Sequence, residues 1–97
     1  MADQAATRTV RVRIRGRVQG VGFRHWTDRV ADELGLTGWV RNRRDGSVEA
    51  LFSGPEEAVA GMLERCRSGP PSSRVDHVEV ADESDAPPDG FDVLPTA

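Results

Sequence analysis

Hydrophobic and polar residues alternate along the chain from Thr7, and three apolar side chains share one face of this segment: Val10, Val12 and Ile14. Such alternation is typical of a half-buried strand, because successive side chains of a strand point to opposite faces of its sheet. Three glycines interrupt the pattern over residues 16–22. Apolar residues then recur at helical spacing from Phe23 to about Leu34, and Gly35 is typical of a helix end.

The rest of the chain predicts four more strands and a second helix. The strands are expected over residues 37–42, 47–53, 74–81 and 91–94. Asp45-Gly46 is a strong turn signal between the second and third strands. Pro55 followed by two glutamates is typical of the first turn of a helix. In the fourth strand, the side chains of Val78 and Val80 are expected to point inward.

This order, βαββαβ with a small fifth strand, predicts an α+β fold of the ferredoxin-like type, an antiparallel sheet with two helices on one face. The first and second strands are then parallel, with the third strand antiparallel between them. The loop after the first strand and the end of the second strand meet at one edge of the sheet. With 97 residues there is room for one domain, expected over residues 7–97 after a flexible tail over residues 1–6.

Composition restricts the chemistry that this domain can carry. Residues 1–48 hold ten arginines against five acidic residues, whereas residues 49–97 hold three arginines against eleven acidic residues. The chain has no lysine, which excludes a Schiff-base lysine and a Walker loop. One cysteine and two histidines make a poor metal set. No apolar run suits a membrane helix or a signal peptide, so we expect a cytoplasmic protein without a membrane partner.

The glycine-rich segment over residues 16–24 lies between the predicted first strand and first helix. Consecutive N–H groups in such a turn can bind an anion, and the N-terminus of a helix adds positive potential. Arg24 falls in the first helical turn, where a cation is unfavourable for the helix dipole unless an anion is bound. The glycine spacing matches no established phosphate motif, so a plain turn with a solvated arginine remains open.

Asn42 lies at the end of the second predicted strand that is nearest to this loop. It shares the parity of Gly38 and Val40, which places its side chain on the helix-packed face. A carboxamide there can donate to and accept from a water molecule. A second interpretation, a cap on the turn before the hairpin, is equally open.

Taken together, the run GRVQGVGFR over residues 16–24, GWVRN over 38–42 and DGSVE over 45–49 resembles the acylphosphatase family. The resemblance extends over about residues 8–94. It implies a stand-alone, monomeric enzyme that hydrolyses acyl phosphates to a carboxylate and inorganic phosphate, without metal or cofactor. By matching position, Asn42 would orient the attacking water. Arg24 would bind the phosphoryl group together with the backbone amides of the loop: Gly16, Arg17, Val18, Gln19, Gly20, Val21 and Gly22.

Two alternatives use the same predicted fold without catalysis. The outward face of the first strand carries Arg11, Arg13 and Arg15, as an RNA-binding module would need, but it lacks the aromatic residues on which bases stack. A regulatory module with a vestigial phosphate site is the other. We expect acids of the second half to pair with these arginines instead, and no nucleic-acid partner. Four further residues are assigned to packing or surface roles: His25, Trp39, Cys66 and His77.

Overall fold

Five strands and two helices form the part of the chain that the computed structural model describes, residues 6–84 and 86–97. Nearly all of the predicted tail over residues 1–6 lies outside this part. Of the two helices, neither combines the length and the apolar character needed to cross a membrane. In chain order the elements are β1 (Thr7–Arg17), α1 (Phe23–Leu34), β2 (Thr37–Asn42), β3 (Val48–Pro55), α2 (Glu56–Cys66), β4 (Arg74–Asp82) and β5 (Phe91–Val93).

The strands form one sheet in the order β4-β1-β3-β2-β5. β3 is antiparallel to both of its neighbours, β1 and β2, so these two are parallel to each other as predicted. The ferredoxin-like α+β prediction is confirmed in this arrangement. One detail was wrong: β5 runs parallel to β2, so the sheet is mixed and not wholly antiparallel.

The core lies between one face of the sheet and the two helices. The alternating apolar residues of β1 are fully buried there, as are Val48, Ala50 and Phe52 of β3. Helix α1 buries Phe23, Thr27, Val30 and Ala31 against them, and α2 buries Val59, Met62 and Cys66. Burying each large apolar side chain stabilises the fold by about 1.5–3 kcal/mol, so the alternation in sequence directly determines which face of the sheet is covered.

Two local predictions need correction. Val80 stands opposite the buried Val12 of β1, on the inward face as predicted, but it is 40% exposed because β4 is an edge strand at the margin of the core. Pro55 ends β3 and stands before the first residue of α2, and it does not lie within the first helical turn. Its extended backbone, with φ −57° and ψ 142°, directs the chain from the strand into the helix.

Gly38 of β2 allows the close approach of β2 to β3. Its φ of 139° lies in a region that residues with a side chain rarely adopt. A Cβ atom at this position would collide with the carbonyl group of Leu51 on β3. The glycine therefore keeps β2, which ends at Asn42, in tight register beside the centre of the sheet.

Candidate active site

A cavity of about 450 Å³ opens where the loop after β1, the start of α1 and the end of β2 meet. Arg24 and Asn42, which sequence analysis places in the site, both line its wall. The remaining lining comes from the loop, from helix α1 and from β5: Val18, Gly20, Gly22, Phe23, His25 and Val93. The fold thus brings two separate polar groups to one concave surface.

The loop enters α1 through two glycines in the left-handed region. Gly20 has a φ of 75° and Gly22 a φ of 78°, and Gly22 is the residue before the helix. No side chain within the described ranges caps this end of α1, and its first turn holds no acidic residue. The first backbone N–H groups of a helix lack partners within the helix and carry partial positive charge. This end of α1 is therefore suited to bind an anion from the cavity.

Arg24 lies in the first turn of α1 and is half-buried. Among residues 6–84 and 86–97, no carboxylate pairs with it, whereas nine of the chain's arginines form ion pairs there. A cation beside a positive helix end is unfavourable in the free protein. The guanidinium group presents a planar fork of donors that suits two oxygen atoms of one phosphoryl group.

Asn42 is the last residue of β2, and its half-buried side chain lies on the same face of the sheet as the buried Val40. Its backbone carbonyl accepts a hydrogen bond from the N–H of Ala97 at 3.1 Å. Its carboxamide makes no hydrogen bond within the described part of the chain. The amide is therefore available to a water molecule or a ligand in the cavity.

The side chain of Gln19 connects the loop to the turn between β2 and β3, a contact that was not predicted from the sequence. The amide nitrogen Nε2 donates to the carbonyl oxygen of Arg43 at 2.7 Å and to that of Ser47 at 2.8 Å. Both carbonyls belong to the connection between β2 and β3. No signal in the local sequence reveals these bonds, because the partners follow Gln19 by more than twenty positions.

Four of the loop residues predicted to bind phosphate lie outside the cavity lining: Gly16, Arg17, Gln19 and Val21. Gly16 and Arg17 belong to β1, where they pair with Val75 and Arg74 of β4 after a register shift at Gly16. Val21 is half-buried and packs against the core. Val18, Gly20, Gly22 and Arg24 do line the cavity. The binding roles of all these residues stay predictions.

Three aromatic residues beside the loop take different places. Phe23 is buried, and the ring of Trp26 meets it edge-on with centroids 5.3 Å apart. His25, assigned to a packing or surface role, is exposed and lines the rim of the cavity. Val93 of β5, which was not predicted in the site, lines the same rim and is 48% exposed. A short exposed strand gives no local signal that its side chains reach a site.

The arginines of the open sheet face are engaged with carboxylates, as predicted. The side chain of Glu49 is only 5% exposed and accepts hydrogen bonds from Arg41 at 2.9 Å and from Arg11 at 3.1 Å. Burial alone would raise the pKa of Glu49, but these hydrogen bonds outweigh it and hold the pKa below the ordinary value. Trp39 lies on this face between the same two arginines, with its ring centroid 4.8 Å and 5.5 Å from them.

The thiol and the second histidine take the structural places assigned to them. Cys66 is fully buried, and desolvation raises the pKa of its thiol to about 12. His77 is exposed on β4, 3.7 Å from Glu79. Within the described ranges, no group of three histidine, cysteine or acidic side chains could hold a metal ion.

Comparisons of the sequence with known proteins show the family. A family model described as Acylphosphatase matches residues 10–93. A curated protein of that name from Nitrobacter hamburgensis is 61% identical over 89 residues, which cover 86% of this chain and 90% of that protein. One from Rhodospirillum rubrum is 55% identical and covers 92% and 98% of the two chains. The solved structure of an acylphosphatase from Coxiella burnetii superimposes with a TM-score of 0.87 at 33% identity, over 91% and 93% of the two chains.

Proposed function

This chain belongs to the acylphosphatase family, and on that premise we propose how its own residues act. It is an enzyme that hydrolyses the carboxyl–phosphate anhydride of acyl phosphates to a carboxylate and inorganic phosphate. The observation that carries the proposal is the shared cavity wall. Arg24 and the carboxamide of Asn42, neither with a side-chain partner among the described residues, meet there with the start of α1, which no described side chain caps.

We assign phosphoryl binding to the loop and Arg24. The backbone N–H groups over residues 18–24 would donate hydrogen bonds to two of the phosphoryl oxygens, and the guanidinium group of Arg24 would donate a bidentate pair. Such donors are in place before the reaction, so they stabilise charge on the phosphoryl oxygens without reorganisation. Gly16 and Arg17 lie beside this set and would support the loop from β1.

Asn42 would hold the attacking water in line with the bond that breaks. The water oxygen becomes the fourth oxygen of the phosphate, while the acyl oxygen departs with the bonding electrons as a carboxylate. The conjugate acid of that leaving group has a pKa of roughly 4, so no general acid is needed. Positioning and charge stabilisation are then sufficient for the reaction.

We also propose the extent of the domain, its oligomeric state, its location and its independence from metals and cofactors. The domain would span residues 7–97, act as a monomer in the cytoplasm, and need neither metal nor cofactor. Direct attack by water on phosphorus, with a carboxylate as a good leaving group, supports independence from metal. The free, buried cysteine Cys66 is compatible with a reducing compartment such as the cytoplasm. Hydrolysis of benzoyl phosphate in excess chelator, together with sedimentation of the purified protein, tests the metal and the oligomeric state.

The site assignment is tested by kinetics on benzoyl phosphate. Arg24→Ala and Asn42→Ala should each lower kcat/KM by about 100-fold or more, because each removes a group aimed at the transition state. Arg29→Ala is the matched control: Arg29 is on the same helix, forms no ion pair within the described residues, and does not line the cavity. Near-native hydrolysis by either site variant would refute its assignment.

A further inference from the structure

We propose that Gln19 is a positioning residue, which fixes the separation between the phosphate loop and the strand end that carries Asn42. Its amide nitrogen bonds two backbone carbonyls, Arg43 at 2.7 Å and Ser47 at 2.8 Å. Arg43 directly follows Asn42 in the chain. The side chain of Gln19 thus bonds to the residue next to Asn42, and the carboxamide of Asn42 is the group proposed to hold the water.

The turn between β2 and β3, which carries both acceptor carbonyls, is closed by hydrogen bonds of its own. The bonds of Gln19 can therefore fix the distance between the loop and the end of β2. The N–H of Arg43 donates to the carbonyl of Ser47 at 2.8 Å, which closes the turn. Asp45 accepts from the N–H of Ser47 at 2.9 Å and from its hydroxyl at 2.6 Å. A side chain bonded to both ends of this turn is anchored to a rigid unit and not to a fluctuating loop.

The geometry also excludes a direct role of this amide group in binding the substrate. A carboxamide nitrogen has two hydrogens, and the two carbonyls use both of them. None is left for a phosphoryl oxygen. The side chain of Gln19 therefore acts through the placement of its neighbours, while its backbone N–H remains one of the proposed loop donors.

Placement matters here because the proposed reaction has no other source of catalysis than geometry and charge. The loop holds the phosphorus atom and Asn42 holds the water, so the distance between these elements is the distance of attack. A misplacement of about 1 Å can cost about 100-fold in rate. This inference rests on the proposed roles of the loop and of Asn42.

The test is a double-mutant cycle on kcat with benzoyl phosphate, together with the inhibition constant for inorganic phosphate. Gln19→Leu removes both hydrogen bonds, and Gln19→Glu keeps the shape but places acceptors against the two carbonyls. Each should lower kcat by about 10-fold or more. The inhibition constant for phosphate should change by less than about threefold, since the loop donors remain. In an Asn42→Ala background, Gln19→Leu should lower kcat by less than about twofold.

Thr9→Val is the control for a simple loss of stability. Its hydroxyl bonds that of Ser53 at 2.7 Å at the far end of β1, so its removal should leave kcat unchanged. Gln19 is not a positioning residue if its variants keep native kcat, or if Gln19→Leu has its full effect in the Asn42→Ala background. Full activity of Asn42→Ala alone would instead refute the proposed role of Asn42. Gln19→Glu retains the side-chain volume, so the cycle can be completed with it if Gln19→Leu does not fold.

Discussion

Phe52 of β3 and Phe91 of β5 stack with ring centroids 6.0 Å apart and planes 13° from parallel, although β2 lies between their strands. Both residues stand opposite Gly38 of β2. The missing side chain of Gly38 leaves the space across which the two rings meet. One glycine thus permits both the tight β2–β3 contact and the ring contact between β3 and the last strand.

Gly38→Ala should therefore be strongly destabilising. The new Cβ would collide with the backbone of Leu51, and the φ of 139° would be strained. We expect a loss of about 3 kcal/mol or more in the free energy of unfolding, measured by urea titration. Gly61→Ala is the matched control, since Gly61 lies within α2 and a Cβ there meets nothing within 4 Å. That change should stabilise the protein by up to about 1 kcal/mol.

The stability of the fold should depend on Asp45 at acidic pH. Hydrogen bonds from the hydroxyl and the backbone N–H of Ser47 lower the pKa of Asp45 from 3.8 to about 2. Because the folded state lowers this pKa, the carboxylate stabilises the protein above about pH 4, and the contribution is lost as the pH falls through about 2. The free energy of unfolding of Asp45→Asn, which cannot titrate, should fall less steeply across this range. Parallel curves for the two proteins would contradict the assignment.

Glu49→Gln should destabilise the protein without affecting catalysis. The change leaves Arg11 and Arg41 close together without their shared carboxylate, at a position that is only 5% exposed. A loss of about 1–3 kcal/mol is expected in urea unfolding. Glu64→Gln breaks an exposed pair with Arg67 and should stay within about 0.5 kcal/mol of the native protein. Since Glu49 lies on the open face, kcat should be unchanged; a drop in kcat would place this face in the mechanism.

Cys66 should be inert in the folded protein. Burial excludes reagents, and the pKa of about 12 leaves almost no thiolate at pH 8. A thiol reagent such as an aromatic disulfide should react rapidly in urea and slowly, at the rate of local opening, in buffer. Reaction in buffer at the rate of a free thiol would mean that α2 separates readily from the sheet.

The fold could be predicted where the structure at a residue depends mainly on the residues near it in sequence. The alternation of β1 and the apolar spacing of α1 require only that one face be covered, and the turn at Asp45-Gly46 depends only on the conformational preferences of these two residues. The exposure of Val80 depends instead on the edge position of β4. The parallel pairing of β5 depends on a connection from one edge of the sheet to the other, which no short pattern encodes.

The same distinction between local and distant determinants applies to the candidate site. Arg24 and the glycines form one continuous motif, and the topology alone brings Asn42 to their edge of the sheet. The bonds of Gln19 and the exposed Val93 could not be predicted, because they depend on distant segments placed within a few ångströms. The catalytic roles themselves stay predictions that the variants above would test.

The start of α1 has no side-chain cap among the described residues and lies beside Arg24. The melting temperature of this protein should therefore depend on the anions in its buffer. Without a bound anion, the positive end of α1 and the guanidinium group of Arg24 repel each other. A small oxyanion that binds there removes this repulsion. Such an anion stabilises the folded state by about 2.7 kcal/mol when its concentration is 100 times its dissociation constant. The melting temperature should therefore be higher in phosphate or sulfate buffer than in a buffer without oxyanions, and the difference would measure the affinity of the site without any substrate.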